Sequence, residues 1–284
     1  MADDSPTSRP PLGLIAGEGS LPVHTAQGMR AAGYRVICAG LSGQCDVEAL
    51  APHCDSYREV GLIRLNQWIR VLKRQGCTQA VMVGRVAKER LYQRFHLLRY
   101  LPDWRVARVY FWRLRHDQRN DHILRAVAEE LASGGIELID GRPFVSTQMA
   151  HVGVMTRREP SAGEQADIEF AWPLLRQLNT LLIGQAVACK DREIVAVEAV
   201  EGTDRLIQRA GELCKRGGWV LCKAANPNQD MRFDVPTVGP RTLENLHKAG
   251  GTVLVLEAER TIMLDKEIVL DLARRLGISV VGKS

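Results

Sequence analysis

Between residues 12 and 83, short apolar runs alternate with glycine-punctuated amphipathic stretches, and that alternation leaves few folds open. Residues 12–16 (LGLIA) read as a buried strand, followed by Gly17-Glu18-Gly19 and a helix. Ser20 suits the N-cap of that helix, Pro22 its first turn, and Gly33 its end. A strand over 34–39, an amphipathic helix over 63–75 stopped at Gly76, and a strand over 80–83 complete a βαβαβ unit. Such a unit forces parallel pairing with right-handed crossovers. A helix over 124–132 and a strand over 136–139 extend it.

The pattern lapses over 143–163, where Glu159-Pro160-Ser161-Ala162-Gly163 reads as a linker or lid. Beyond it, residues 184–189 and 194–199 alternate as a hairpin around Lys190–Glu193. Helices over 204–215, 241–248 and 266–276 then alternate with strands over 219–225, 253–257 and 278–281. The expected fold is α/β in two domains: a tail over 1–11, an N-terminal Rossmann-like parallel sheet over 12–150, and a C-terminal mixed α/β domain over 151–284. A ligand cleft is expected between the domains.

A chain of 284 residues with 45% hydrophobic and 25% charged residues is ordinary for a globular protein. Its seven cysteines form no CxxC pair, which fits a reducing compartment and buried thiols. The first ten residues lack the pattern of a signal peptide, and no apolar run reaches the ~18 residues that span a bilayer. A cytoplasmic protein is expected, with peripheral residence on the inner membrane as an extension. The seven histidines show no HExxH or paired spacing, and no GxSxG elbow is present, so zinc and nucleophilic-serine chemistry lack support.

Three stretches carry candidate chemistry. The Gly17-Glu18-Gly19-Ser20 turn resembles a phosphate-binding first loop, in which glycines let backbone N–H groups approach an anion at a helix amino terminus. Pro22 replaces the third glycine of a dinucleotide fingerprint, and the second strand ends in Ala39-Gly40 rather than a ribose-binding acid. A dinucleotide is therefore disfavoured, while a phosphate contact through Gly17, Gly19 and Ser20 stays open beside the simpler reading of a tight turn. The second stretch, residues 198–204, carries Glu198, Glu201, Thr203 and Asp204 where a strand passes into a helix. A helix start with its usual acids is the plain alternative. The third follows the strand that carries Lys223. Residues 226–242 hold three prolines, Gln229, Asp230, Arg232, Asp234 and Thr237, a composition that excludes a helix or central strand. A cation at a strand end followed by an acid-bearing loop is how α/β proteins build phosphate or metal sites; the alternative is a solvated connection. Together these acids offer hard oxygen ligands for Mg²⁺ or Mn²⁺, and Lys223, Arg209 and Arg232 offer charge for phosphate.

Residues 85–119 contain ten Arg or Lys against three acids, and seven of fifteen aromatics lie between Tyr92 and Trp112. This suits an anionic surface. No nucleic-acid-binding module accompanies it, so the expected partner is membrane lipid and not nucleic acid. An amphipathic helix with a solvated basic face is the competing explanation.

The segments AGEGSLP, EAVEGTD and VLCKAANPNQDMRFDVPTVGPRT, in this order, resemble the LpxI family, the UDP-2,3-diacylglucosamine pyrophosphatases of lipid A synthesis. The resemblance runs from Leu12 to Gly282. It implies two α/β domains with a lipid-linked nucleotide-sugar ligand between them, the first contacting the UDP portion, and a homodimer. It also implies Mg²⁺-dependent hydrolysis to UMP and 2,3-diacylglucosamine 1-phosphate. Asp234, which opens DVPTVG, takes the role of the family's essential aspartate. The expected catalytic set is Asp234, Asp230 and Lys223. Gly17, Gly19, Ser20, Thr203, Asp204, Arg209, Gln229, Arg232 and Thr237 are expected to contact substrate, and Asp234, Glu198 and Glu201 to hold metal. A non-catalytic UDP-sugar or lipid sensor, or another nucleotide-sugar enzyme, is the alternative on the same scaffold.

Overall fold

The computed structural model of the chain describes residues 9–86, 103–111, 120–227 and 229–284. The chain divides into two compact units. One comprises residues 1–146 with Asp230–Asp234; the other comprises Thr147–Gln229 and Val235–Ser284.

The first unit is built on five parallel strands: β1 (Leu12–Ala16), β2 (Val36–Leu41), β3 (Ser56–Val60), β4 (Gln79–Val83) and β5 (Glu137–Leu138), in the order β3-β2-β1-β4-β5. β1 and β2 are buried along their whole lengths, as central parallel strands covered on both faces must be. Alternation sends Leu14, Ala16 and Cys38 to one face with Met29 of α1 (Leu21–Ala31). Ile15, Ile37 and Ala39 go to the other, against Ile69 and Leu72 of α3 (Leu65–Arg74) and Leu131 of α5 (Asn120–Ser133). The strand order reverses between β1 and β4, so the loops after these two strands share the carboxyl edge. Short α2 (Val47–Leu50) and α4 (Trp104–Val109) complete this unit.

In the second unit, β9 (Trp219–Lys223), β11 (Gly251–Glu257) and β13 (Ser279–Lys283) run parallel. The antiparallel hairpin β7 (Ala186–Lys190) and β8 (Glu193–Val197) flanks them on one side and β6 (Gly153–Val154) on the other. One face packs Ile168, Ala171, Trp172 and Leu175 of α6 (Ala162–Thr180) on Val187, Val220 and Val255. The other receives α7 (Thr203–Leu213), α8 (Pro240–Lys248) and α9 (Lys266–Leu276) through Leu206, Leu243 and Val269. A short parallel pair, β10 (Thr237–Val238) with β12 (Ile262–Met263), lies apart from this sheet.

Helix α6 corrects the expected linker. Ser161 is its N-cap and Ala162-Gly163 its first residues, closed by a capping box in which Glu164 N–H donates to Ser161 Oγ and Ser161 N–H to Glu164 Oε2 at 2.7 Å. Arg158 grips the same carboxylate at 2.7 and 2.8 Å, and Thr252 donates to it at 2.5 Å. These bonds tie the helix start to Arg158 and Thr252. Strands β3, β6, β10 and β12 are additions to the expected set. All seven cysteines are free thiols. Among the described residues, no helix is long and apolar enough to cross a membrane.

Candidate active site

The strand register brings Lys223, Thr203 and Glu198 together. Lys223 closes β9 and stands opposite Ala186 at the start of antiparallel β7. Glu198 N–H donates to Ala186 O at 2.9 Å, so the residue just past β8 lies at the same sheet edge. Gly184 permits this: a Cβ there would lie 1.8 Å from Glu198 O. Gly202, at φ +84°, then turns the chain into α7, whose first residue is Thr203. The Lys223 ammonium donates to Thr203 Oγ1 at 2.7 Å, and the Thr203 hydroxyl donates to Glu198 Oε1 at 2.9 Å. Lys223 is only 8% exposed. Burial pushes its ammonium below the ordinary lysine value, against the pull of the Glu198 and Asp204 carboxylates. Glu198 Oε2 is buried and accepts no hydrogen bond from the described residues.

The other residues expected around this relay have different neighbours. Asp204 bridges α7 to α8, pairing with Arg241 at 3.2 Å and accepting from Asn245 at 3.0 Å. Glu201 and Arg209 are exposed. Thr237 Oγ1 donates to Val235 O at 3.0 Å. Gln229 shapes the loop after β9: its Oε1 accepts from Asn226 N–H at 3.0 Å and from Gln185 Nε2 at 3.2 Å.

That loop is held by a residue the sequence reading missed. Glu257 ends β11 one position beyond Leu256, the register partner of Lys223. It is buried and accepts from Ala225 N–H at 2.7 Å and from Arg176 at 2.6 Å. Asn179 Nδ2 and Arg260 Nη2 donate to the carbonyls of Ala225 and Asn226, at 3.0 and 3.1 Å. A charge ending an apolar strand is the signal that marked Lys223, and the run VLVLE carries it as well.

Asp230, Arg232 and Asp234 belong to the first compact unit, although the sequence places them in the second half. Phe233, between them, packs against the cluster of Ile69 and Leu131. Asp234 N–H donates to Asp230 O at 3.1 Å, closing a single turn. Arg232 holds the Asp230 carboxylate through Nε at 2.9 Å and Nη2 at 2.6 Å. These bonds, against some desolvation, keep Asp230 below its ordinary value and raise Arg232.

At the first glycine loop, the close approach is between two protein loops. Gly17 N–H donates to Val83 O at 2.9 Å and Glu18 N–H to Arg85 O at 2.7 Å. A Cβ on Gly17 would lie 2.7 Å from Arg85 O, and one on Gly84 within 2.9 Å of Gly17 backbone. The Gly17 N–H, expected to face a phosphate, is bonded to Val83 O in this structure. Gly19 (φ +103°) is open around its Cβ position, and Ser20 gives α1 no side-chain cap.

Among the described residues, no group of three or more His, Cys, Asp or Glu is placed to hold a metal ion. Of the basic segment 92–119, only residues 103–111 are described, and the rest lies outside the described residues. Arg105 and Arg108 in it both pair with Glu130, at 2.9 and 2.6 Å. Burial works against the charge on Glu130, but hydrogen bonds from Arg108 and Arg105 outweigh it and hold the carboxyl below its ordinary value.

A doubly wound parallel unit joined to a mixed α/β unit, with a buried lysine relay and a clamped loop at the latter's sheet edge, defines a two-domain α/β protein. Sequence comparison narrows this. The LpxI N-terminal domain model matches residues 11–148 and the LpxI C-terminal domain model residues 151–281. A protein of Caulobacter vibrioides named UDP-2,3-diacylglucosamine pyrophosphatase LpxI is 31% identical over 283 residues, covering 95% of this chain and 96% of that protein. The chain belongs to the LpxI family.

Proposed function

We propose that this protein hydrolyses the pyrophosphate bond of UDP-2,3-diacylglucosamine, releasing UMP and 2,3-diacylglucosamine 1-phosphate. The observation that carries this reading is the match of both domains, over nearly the whole chain, to a protein named for that activity. Pyrophosphate cleavage requires neutralisation of phosphoryl charge and a positioned water, with little covalent work by the protein. Lys223 suits the neutralising role, because a desolvated ammonium interacts strongly with an incoming phosphate and is held by one directed bond to Thr203. Asp234, on the family motif, takes the water-orienting role. Asp230, neutralised by Arg232, is better suited to shaping the turn than to accepting a proton.

Magnesium fits the donors in a limited way. The buried, unpartnered Glu198 Oε2 is a hard oxygen, and Mg²⁺ is commonly held by one or two carboxylates plus substrate phosphates and water. Glu198 would hold it, with exposed Glu201 as a further donor read from the sequence. When bound, the ion supplies Lewis-acid charge on phosphoryl oxygens and lowers the pKa of water. A homodimer and peripheral residence on the inner membrane, in the cytoplasm, belong to the same reading.

Incubation of the purified protein with UDP-2,3-diacylglucosamine and Mg²⁺ should release UMP, and EDTA should stop it. Binding without release would replace this reading with a sensor.

A further inference from the structure

Beyond β9 the backbone ladder runs out and side chains take over. Its last bond on this side is from Ala224 N–H to Gln185 O at 2.9 Å. Ala225 and Asn226 follow, and each of their backbone N–H and C=O groups is bonded to the side chain of another residue. Ala225 N–H donates to Glu257 Oε2 at 2.7 Å, and Ala225 O accepts from Asn179 Nδ2 at 3.0 Å. Asn226 N–H donates to Gln229 Oε1 at 3.0 Å, and Asn226 O accepts from Arg260 Nη2 at 3.1 Å. Asn179 belongs to α6, Glu257 ends β11, and Arg260 lies in the turn after it, so separate elements converge on two peptide units.

Buried backbone groups need partners, so some bond at each atom is expected. The kind of partner is what calls for an explanation. Glu257 is only 5% exposed, and its carboxylate is held by Arg176 Nη1 at 2.6 Å. A hydroxyl or a carboxamide would satisfy one N–H without burying a charge, and a buried ion pair adds little to stability over apolar packing. What an ionised acceptor provides is a short, directed bond. The clamped dipeptide follows Lys223 after one residue and precedes Gln229, where the chain leaves the second unit.

We propose that Glu257 is a positioning residue for the hydrolysis: held by Arg176, and with Asn179 and Arg260 on the neighbouring carbonyls, it fixes the Ala225–Asn226 peptides and thereby the Lys223 end of β9 and the start of the loop. The proposal rests on the hydrolysis reading above and adds to it a residue that acts through its neighbours.

The test compares Arg176→Met, Glu257→Met and the double variant in the full chain, by UMP release, thermal denaturation and amide exchange of peptides containing Ala225 and Asn226. Removing one member of a buried pair strands the other, so each single variant should melt below wild type and the double variant should recover part of the loss. Turnover should not follow that order. Arg176→Met leaves Glu257 to accept from Ala225 and should keep kcat within about threefold of wild type, whereas Glu257→Met and the double variant should lose at least about tenfold, as misplacement by ~1 Å can cost more than that. Exchange at Ala225 should quicken in the double variant, which also serves if Glu257→Met alone fails to fold. A kcat that follows melting temperature and recovers in the double variant overturns the proposal, because the pair is then merely structural. So does a loss confined to KM, or unchanged exchange at Ala225. A wild type that releases no UMP defeats the hydrolysis reading and this proposal together, whereas an active wild type with an equally active double variant defeats this proposal alone.

Discussion

Thr203→Val removes one hydroxyl while keeping side-chain shape, and it tests whether Lys223 is positioned through its neighbour. The hydroxyl accepts from the Lys223 ammonium at 2.7 Å and donates to Glu198 Oε1 at 2.9 Å. Hydrogen bonds to charged groups contribute about 1.5–3 kcal/mol each. Thr203 is half-buried, so water replaces part of the loss, and a destabilisation of about 2–3 kcal/mol is expected. At roughly 2–4 °C per kcal/mol, the melting temperature should fall by about 4–12 °C. Release of the ammonium from its Thr203 acceptor should lower kcat about 10–100-fold, which is about 1.4–2.8 kcal/mol of transition-state stabilisation. The pH dependence has a definite sign. Lys223 already lies below its ordinary 10.5, and loss of the link to Glu198 lowers it further, so the alkaline limb of the rate profile should move to lower pH. Stability runs the other way. Between the folded and unfolded values of Lys223 the unfolded chain holds more protons, so stability rises with pH through that window, and the variant extends the window downward. The assays are UMP release across pH and thermal denaturation, with Thr203→Ser as the variant that restores both bonds. A Thr203→Val protein with more than half the wild-type kcat and an unmoved alkaline limb would refute the reasoning, as would a Thr203→Ser protein no better than valine.

Asp234→Ala should lower turnover at least ~100-fold, the usual loss for an essential acid–base group, while the melting temperature stays within about 1 °C; turnover above a tenth of wild type removes it from the chemistry. Gly184→Ala should destabilise the fold by at least about 3 kcal/mol, because its Cβ would lie 1.8 Å from Glu198 O, and an unchanged urea midpoint would contradict that contact. Asp230→Asn addresses acid stability. The depressed carboxyl contributes stability above its ordinary 3.8 that is lost as pH falls through the folded value, so the variant's urea midpoints at about pH 7 and pH 2 should differ by less than wild type's. After a discount for the partly exposed pair, the difference is about 1 kcal/mol.

The local sequence determined which elements exist where one physical signal dominates. Strands β1, β2, β9 and β11 are continuous apolar runs because strands covered on both faces tolerate nothing else, and Gly33 and Gly76 end helices where φ must be positive. The hairpin was legible from its alternation, and Lys223 from a charge closing a buried run. Helix α6 was obscured by Pro173 within it and by a glycine-containing start, although Ser161 and Glu164 carry a capping box in plain spacing. Tertiary structure decided the partnerships. Only the antiparallel return of β8 beside β7 carries Glu198 to the edge where β9 ends, and only there does Thr203 join it to Lys223. Only the approach of Gly84 and Arg85 gives the Gly17 N–H a protein partner in place of an anion. Phe233 ties Asp230–Asp234 to the first unit by packing against a cluster whose members, Ile69 and Leu131 among them, lie some 100–165 positions away, and no local pattern encodes a partner that distant. Spacing along the chain limits which residues can share an element, whereas register and packing select which of their side chains meet.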